Sequence, residues 1–310
     1  GNDRVQWGSS IGKHQEGSDK IARIASNTFA MEAVTTLSCN WANNPDKEIR
    51  IEAAMAKMFC SEVAWDVVDT TLQLRGGRGF EKASSLKGRG EEPYPVERMM
   101  RDCRINRIIE GTTDIMRLFL AREALNPHLK MASDLLKAHS PIGAKIKSGA
   151  QLAKFYSRWY PAQWIHSGLW ENHSDKGPLG KHYHYIDQTS HKLARTILHC
   201  LGLYQDKLED EQIILGDLME IGSNLFAMAA TCAYADKLIG EKENMTPKYL
   251  ADVFCIHTEK KISQLFDRID DYPSRKQGKL ADSILEGDLK WLEEGIIEAV
   301  TEEELKNYKK

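Results

Sequence analysis

Side chains recur at helical spacing over long segments of this chain, and this spacing constrains its fold more than any other feature. Between residues 16 and 42, one face carries a row of positions three or four residues apart, as in an amphipathic helix. These positions are Ile21, Ile24, Thr28, Met31 and Thr35, with Phe29, Ala33 and Leu37 beside them. We therefore predict a first helix about 40 Å long, at 1.5 Å per residue.

A second long helix is predicted over residues 47–75. The segment Asn43-Asn44-Pro45-Asp46 ends the first helix, and Asp46 is a suitable cap for the second. Gly76-Gly77 ends the second helix, because glycine is the usual residue just beyond a helix end. Two long helices joined by a short link predict an antiparallel helical hairpin.

The remaining segments also predict helices. A polar loop over 81–94, which we expect to be mobile, precedes helices over 96–107 and 112–125, the latter ended by Asn126-Pro127. Later helices are predicted over 190–206, 211–240, 247–269 and 279–299, with a short terminal helix opened by Thr301 and Glu304. No strand-like alternation is found after residue 189. The predicted fold is all-α, a four-helix bundle followed by a second helical domain.

We predict three parts: a helical bundle over 1–127, a connecting segment over 128–188 and a further helical domain over 189–310. The connecting segment carries a break at 139–143 and then an aromatic and basic stretch. Its aromatic residues are Phe155, Tyr156, Trp159, Tyr160, Trp164 and Trp170. Such a stretch could contact a membrane surface or a partner, or pack the added region onto the first domain. Packing is the interpretation that we prefer.

Composition excludes some classes of partner. The net charge is −3, from 42 basic and 45 acidic residues spread along all 310 positions, so no basic field for nucleic acid is present. The six cysteines are widely separated and form no CxxC pair, which predicts reduced thiols in a cytoplasmic protein. We find no signal peptide and no apolar run approaching the roughly 18 residues that span a bilayer.

Glu110 is the candidate functional carboxylate. It follows Ile108-Ile109 and precedes Gly111-Thr112-Thr113-Asp114, which should begin a helix. A glutamate among apolar side chains has its charged form disfavoured, so its pKa would rise and it could accept a proton. Free N–H groups at the helix start would suit an acyl carbonyl or a phosphate. The alternative is a solvated glutamate that interacts with the helix dipole.

Three ordered motifs over residues 1–126 resemble the C-terminal helical domain of flavin-dependent acyl-CoA dehydrogenases. The first runs from Arg4 through Trp7-Gly8 to His14-Gln15, and the second is Gln73-x-x-Gly76-Gly77-x-Gly79-Phe80. The third runs from Pro95-Val96-Glu97-Arg98 to Glu110-Gly111-Thr112. The long helical region that follows resembles the very-long-chain branch of this family. A dinucleotide-binding fold is rejected, since a helix and not a strand precedes the glycines of 76–79.

The resemblance implies roles for individual residues. Glu110 would remove the α-proton of a fatty acyl-CoA while FAD accepts a hydride, with the Gly111 backbone and Arg122 contacting the substrate. Thr112, Thr113 and Asp114 would hold the FAD of their own subunit. The residues expected at the FAD of a neighbouring subunit are Arg4, Gln6, His14, Gln15, Gln73, Gly76 and Gly77. No metal is expected, because His182, His184 and His191 fit no zinc spacing and are interpreted as surface or packing residues.

The implied function is dehydrogenation of long-chain acyl-CoA in fatty acid oxidation, by at least a homodimer that passes electrons to an electron-transfer flavoprotein. Three departures from the family pattern are Trp7 in place of phenylalanine, Ile109 in place of an aromatic residue, and the longer loop over 81–94. The start at Gly1, inside a motif, suggests a C-terminal fragment that binds FAD poorly and has little activity alone. The alternatives are a non-catalytic helical module for assembly or membrane docking, and an acyl-CoA oxidase.

Overall fold

The computed structural model describes residues 1–2, 4–136, 141–165, 177–242, 244–271 and 274–294. The chain divides into two compact units, residues 1–269 and residues 270–310. The predicted all-α class is confirmed, with one addition near the start of the chain. Strands β1 (Val5–Gln6) and β2 (Ser9–Ser10) form an antiparallel hairpin, in which Val5 pairs with Ser10.

Ten α-helices are described in the first unit. They are α1 (Gln15–Ala42), α2 (Arg50–Arg75), α3 (Gly77–Phe80), α4 (Ala83–Gly88), α5 (Val96–Asn106), α6 (Thr113–Leu136), α7 (Ile142–Ile165), α8 (Gly180–Tyr204), α9 (Gln212–Lys242) and α10 (Thr246–Asp270). Short 3-10 helices cover Ile11–Lys13 and Gln205–Glu209. The long helices α1 and α2 pack against each other as the predicted hairpin.

Helix α9 is the central helix of the first unit, since it packs against α1, α2, α6 and α8. Leu218, Ile221, Met228 and Cys232 of this helix are almost completely buried. Among the described residues, α9 is the one helix long and apolar enough to cross a membrane, over Gln212–Glu241. The sequence predicted no such run. Because 72% of its most apolar window is buried within the protein, core packing accounts for this composition.

Two predicted features in the first half of the chain are wrong in detail. Asp46 does not cap α2, which begins at Arg50, and the backbone N–H of Asp46 instead donates to Asn44 Oδ1 at 3.0 Å. The loop over 81–94 contains helix α4, and ion pairs such as Arg89–Glu81 at 2.8 Å hold it. Side-chain capping and ion pairing across a loop depend on geometry that local spacing does not specify.

Helix α6 continues through Pro127, where the sequence predicted its end. Proline removes one backbone N–H and therefore one helical hydrogen bond, which normally ends a helix. Here the following turn packs against α7, because His128 Nδ1 hydrogen-bonds with the Tyr156 hydroxyl at 2.6 Å and its ring contacts Trp159 edge-on. Helix α6 therefore crosses the predicted boundary at 127, and the three-part division of the chain stays a prediction.

The aromatic stretch lies on α7 and packs within the first unit. Besides the contacts to His128, the Tyr160 hydroxyl hydrogen-bonds with His199 at 2.9 Å, and the Arg195 guanidinium lies 4.2 Å from the Trp164 ring centroid. Both partners lie on α8. These contacts agree with the packing interpretation, whereas Trp170 and most of the predicted break at 139–143 lie outside the described residues.

Helix α8 begins at Gly180, ten residues before its predicted start. The reason is His182, whose side chain is buried. Its Nε2 lies 2.8 Å from the Asp252 carboxylate, and its Nδ1 lies 3.0 Å from the Glu259 carboxylate. In the second unit, the helix predicted over 279–299 is divided into α11 (Ser274–Glu286) and α12 (Lys290–Glu293) by Gly287, whose φ is +84°. The predicted cap at Thr301 and Glu304 lies outside the described residues.

Asp252 gives the first testable prediction, on stability and pH. Burial alone would raise the pKa of Asp252, but hydrogen bonds from Lys248, His182 and Lys181 outweigh it and lower the pKa to about 2. A pKa below the unfolded value means that this stabilisation is present above about pH 4 and is lost as pH falls toward 2. It amounts to about 2 kcal/mol.

We therefore expect Asp252→Asn to lower the free energy of unfolding by about 2 kcal/mol at pH 6 and by much less at pH 2. Urea unfolding across this pH range measures the difference. Asp19→Asn, at an exposed position on α1, serves as the matched control. A difference between wild type and Asp252→Asn that stays constant from pH 6 to pH 2 would contradict the prediction.

Candidate active site

Glu110 lies in a sharp turn between α5, which ends at Asn106, and α6, which begins at Thr113. Its backbone is left-handed, with φ +55°, and that of Gly111 is too, with φ +91°. A non-glycine residue in this region costs about 1–3 kcal/mol, and such strain is common at functional sites. A Cβ at position 111 would lie 2.8 Å from Met116 Sδ, so a larger residue here would also displace the Met116 side chain.

Two side chains of α2 hold this turn. Lys57 Nζ donates to the Gly111 carbonyl oxygen at 2.5 Å. Glu62 accepts two hydrogen bonds from Arg107, at 2.8 and 2.7 Å, and one from the Thr113 hydroxyl. The turn is therefore fixed to a long, packed helix at its beginning, its centre and its end.

The turn also begins the next helix, as the sequence predicted. Thr112 Oγ1 accepts a hydrogen bond from the Ile115 N–H at 3.3 Å, and the Thr112 carbonyl accepts one from the Met116 N–H at 2.9 Å. Thr112 therefore caps α6. Asp114 is exposed in the first turn, where its carboxylate lies 3.4 Å from Arg117 Nη1.

Glu110 borders a cleft of about 650 Å³ between α1 and α2. Its other walls combine apolar, hydroxyl and thiol side chains with two further charged groups. They include Met31, Glu32 and Thr35 of α1 and Lys57, Cys60 and Ser61 of α2. Burial raises the pKa of the Cys60 thiol, which therefore stays protonated at neutral pH. The cleft can accept an extended ligand with an apolar portion beside the Glu110 carboxylate.

The predicted apolar enclosure of Glu110 is wrong for the residues that the structure describes. The Glu110 side chain is exposed, and Ile108 and Ile109 are 46% and 44% exposed. The physical reason is that α5 ends at Asn106, so the two isoleucines lie in a surface turn and not on a packed helix face. Glu110 nevertheless borders the cleft, directly before Gly111 in the turn.

Arg122 lies apart from this turn. It is an exposed residue of α6, nine residues after Thr113, which corresponds to about 14 Å along the helix axis. The neighbouring Glu123 lies near a different arginine, with its Oε2 3.7 Å from Arg50 Nη2.

A second cluster forms where the hairpin meets the end of α2. It borders a cavity of about 580 Å³, lined by Arg4, Leu74, Arg75, Arg78, Glu91 and Tyr94 among others. Gly76 ends α2 with φ +60° and ψ −141°, a conformation that only glycine adopts readily. A Cβ at this position would lie 3.9 Å from Arg4 Nη1, so the Arg4 guanidinium lies beside the Gly76 backbone.

The charges of this cavity suit an anion. Arg75 lies over the Tyr94 ring, 5.2 Å from its centroid, and its Nε–H is buried without a hydrogen-bond partner among the described residues. Glu91 is already paired with Arg78 at 2.5 Å, and this hydrogen bond lowers its pKa. An orphaned guanidinium N–H beside a second arginine fits a phosphate-bearing group.

The other predicted residues of this cluster lie around the hairpin and the end of α2. His14 hydrogen-bonds with the Gln6 carbonyl at 2.9 Å and contacts the Trp7 ring edge-on, which fixes the hairpin beside α1. Gln15 is the exposed first residue of α1. Gln73 is also exposed, and its carbonyl accepts a hydrogen bond from the Gly76 N–H at 3.1 Å. Gly77 begins α3.

The two clusters lie at different ends of α2. Lys57 and Gly76 are 19 residues apart on this helix, which corresponds to about 28 Å. The Glu110 turn and the Arg4 cluster therefore cannot contact the same small chemical group.

Sequence reasoning missed four residues of these clusters, namely Lys57, Glu62, Arg75 and Tyr94. Lys57 and Glu62 lie among the apolar residues of α2. The available signal for a role of these residues is that each charged side chain is next to a buried residue, Met58 or Ser61. Arg75 lies inside the glycine motif but carries no local signal of burial. The histidines named in the sequence analysis lie on α8, where His182 packs between two carboxylates and His191 hydrogen-bonds with Gln163 at 2.7 Å.

Together, these features define a helical-bundle domain with a carboxylate-bearing turn near one end of α2 and an arginine-lined cavity at the other. Residues 2–125 match the family model of the acyl-CoA dehydrogenase C-terminal domain. Over these residues the chain is similar to that domain.

Relatives extend the similarity beyond this domain. The chain is 40% identical over 299 residues to the probable acyl-CoA dehydrogenase FadE10 of Mycobacterium tuberculosis (strain ATCC 25618 / H37Rv), covering 96% of this chain and 46% of that protein. It is 28% identical over 277 residues to the mitochondrial very long-chain specific acyl-CoA dehydrogenase of Bos taurus, covering 88% of this chain and 40% of that protein. The chain thus spans less than half the length of these relatives.

A solved structure shares the fold. The crystal structure of an acyl-CoA dehydrogenase complexed with FAD from Bacillus anthracis superposes with a TM-score of 0.60 and 24% sequence identity. The match covers 86% of this chain and 44% of that chain, so the similarity in fold also includes helices beyond residue 125.

Proposed function

We propose that this chain serves in the FAD-dependent α,β-dehydrogenation of a fatty acyl-CoA. The observation that carries the proposal is the Glu110 turn. A carboxylate is held in a strained backbone conformation at the edge of a cleft, within a domain of the acyl-CoA dehydrogenase family. Strain of this kind persists only where the surrounding structure fixes it, as Lys57 and Glu62 do here.

In the proposed reaction, the Glu110 carboxylate takes the α-proton of the acyl thioester as the α,β double bond forms. Bound FAD would supply the acceptor for the β-hydrogen, which leaves as hydride. The α-hydrogen of a thioester is weakly acidic, so the base must be correctly oriented and the thioester oxygen must be hydrogen-bonded. The fixed turn supplies the orientation, and an acyl chain in the cleft would exclude water around the carboxylate.

The residues present fit FAD. Its pyrophosphate needs guanidinium and backbone donors, which the cavity beside Arg4, Arg75 and Gly76 offers. Near the beginning of α2, at the Glu110 turn, the proposed FAD contacts are Thr112 and Asp114. Because the two clusters lie about 28 Å apart along α2, we infer that one chain contributes to two FAD sites, which requires at least a homodimer.

The central test is reduction of flavin by substrate. The full-length gene product, loaded with FAD, is mixed anaerobically with acyl-CoA thioesters of increasing chain length, and the oxidised flavin absorbance is followed. We expect bleaching, with the highest kcat/KM for long chains, and reoxidation by an electron-transfer flavoprotein. Absence of bleaching with every thioester would overturn the proposal, and fast reoxidation by oxygen would identify an oxidase. We further propose a cytoplasmic location, which cell fractionation tests.

A binding measurement tests the FAD cluster separately. Arg4→Met in the full-length gene product should weaken FAD binding by about tenfold to a hundredfold, because it removes a charged hydrogen-bond donor to phosphate. Fluorescence titration of the apoprotein measures the dissociation constant. Lys13→Met, at an exposed position near the hairpin, is the matched control. Equal affinities in the two variants would contradict the proposed role of Arg4.

Exposed apolar side chains favour the second candidate, a non-catalytic assembly or membrane-docking module. Ile142 and Ile146, one turn apart at the start of α7, are 79% and 68% exposed. In the second unit, Leu285 and Trp291 are 85% and 62% exposed. If this candidate is correct, the flavin assay gives no reduction, and binding to vesicles or partners is unaffected by changes at Glu110.

A further inference from the structure

We propose that Lys57 is a positioning residue for the Glu110 carboxylate, acting through its hydrogen bond to the Gly111 carbonyl. This inference rests on the proposed dehydrogenase function and adds a residue that none of the sequence motifs contains. Lys57 and Gly111 are 54 residues apart in the chain, and the Nζ–O distance of 2.5 Å makes this a short, charge-assisted hydrogen bond.

The position of Lys57 makes it suitable as an anchor. It lies on α2, directly before Met58 and Phe59, whose side chains are 3% and 7% exposed. This part of the helix is therefore rigidly packed. The Lys57 side chain is half-buried and borders the same cleft as Glu110, so it reaches the turn from the side on which substrate would bind.

The turn needs such an anchor. Glu110 and Gly111 are two consecutive left-handed residues, and a free turn would relax toward more favourable backbone conformations. Glu62 holds Arg107 and Thr113 on either side of the turn, but it leaves the peptide between Gly111 and Thr112 to Lys57. Loss of the lysine hydrogen bond would free the peptide next to the base while both helices remain in place.

The consequence concerns catalysis and not substrate affinity. A misplacement of about 1 Å at a reacting group can cost about a hundredfold in rate. We therefore expect Lys57→Met in the FAD-loaded, full-length gene product to lower kcat by about tenfold to a hundredfold. The KM for acyl-CoA should change by less than about threefold, because only one of the side chains that line the cleft is changed and methionine keeps its length.

Lys57→Arg is the conservative variant and retains a charged donor. It should recover kcat to within a few-fold of the wild type, which a merely space-filling role would not require. Lys87→Met, at an exposed position on α4, is the matched control and should behave as the wild type. Equal kcat values for Lys57→Met and Lys87→Met would overturn the proposal, as would a loss confined to KM.

Hydrogen–deuterium exchange separates this inference from the proposed function. Amides of residues 109–112 should exchange faster in Lys57→Met than in Lys57→Arg or the wild type, whether or not the protein is active. Unchanged exchange in Lys57→Met overturns the anchoring role. Faster exchange in Lys57→Met, combined with a wild-type protein that shows no dehydrogenase activity, supports the anchor but contradicts the proposed function. If Lys57→Met does not fold, the same comparison is made between Lys57→Gln and Lys57→Arg.

Discussion

Glu110→Gln in the full-length gene product should lower the rate of acyl-CoA dehydrogenation by about 10²- to 10⁴-fold, the range of a lost general base. Glutamine keeps the size and the left-handed turn but cannot accept the α-proton. Because the side chain is exposed and the turn is held by Lys57 and Glu62, we expect no loss of stability. Rapid-mixing measurement of flavin reduction, together with thermal unfolding, checks both parts of this prediction.

The matched control is Glu209→Gln, an exposed glutamate at the end of a 3-10 helix far along the chain from the turn. It should retain wild-type activity. Flavin reduction by Glu110→Gln within threefold of the control would eliminate Glu110 as the base. In that case another residue would serve as the base of the proposed dehydrogenase.

The largest expected effect on stability is at the Arg268–Asp217 pair. Asp217, on the central helix α9, is 2% exposed, and Arg268 Nε donates to its Oδ2 at 2.6 Å while a second guanidinium nitrogen contacts Oδ1. Arg268→Met would leave a buried carboxylate without its partner, which typically costs about 3–5 kcal/mol. We expect the free energy of unfolding, measured in urea, to fall by about this amount.

Removing the carboxylate by Asp217→Leu should lower the free energy of unfolding by less than removing the arginine. The Arg268 side chain is half exposed and can turn to water when Asp217→Leu removes the carboxylate. The double variant, Asp217→Leu with Arg268→Met, should therefore be more stable than Arg268→Met alone. The exposed pair Arg98–Asp102 on α5 is the matched control, because Arg98→Met should cost less than about 1 kcal/mol. Equal losses at the buried and exposed pairs would contradict this argument.

Several features were predictable because their causes are local. The start of α6 after Thr112 follows from a capping residue, and the end of α2 at Gly76 follows from a glycine. The class of fold follows from helical spacing, which α1 over Gln15–Ala42 confirms almost to the residue. The resemblance to acyl-CoA dehydrogenases also rests on short contiguous motifs, and the family match over 2–125 confirms it.

Other features depend on partners far along the chain. Pro127 lies inside α6 because His128 packs on α7, and α8 begins early because His182 lies between Asp252 and Glu259. The exposure of Glu110 was predicted wrongly for the same reason, since neighbouring isoleucines do not specify what covers a turn.

The sequence by itself determined the helical class and the similarity of residues 2–125 to the acyl-CoA dehydrogenase domain, and it predicted Glu110 as the candidate base, because helical periodicity, caps and motifs are properties of neighbouring residues. Only the tertiary structure decided that Lys57 anchors the turn of that base and that Arg75 lies with Arg4 beside Gly76. Contacts between residues 54 or more positions apart arise from helix packing, and no local pattern encodes which side chains that packing brings together.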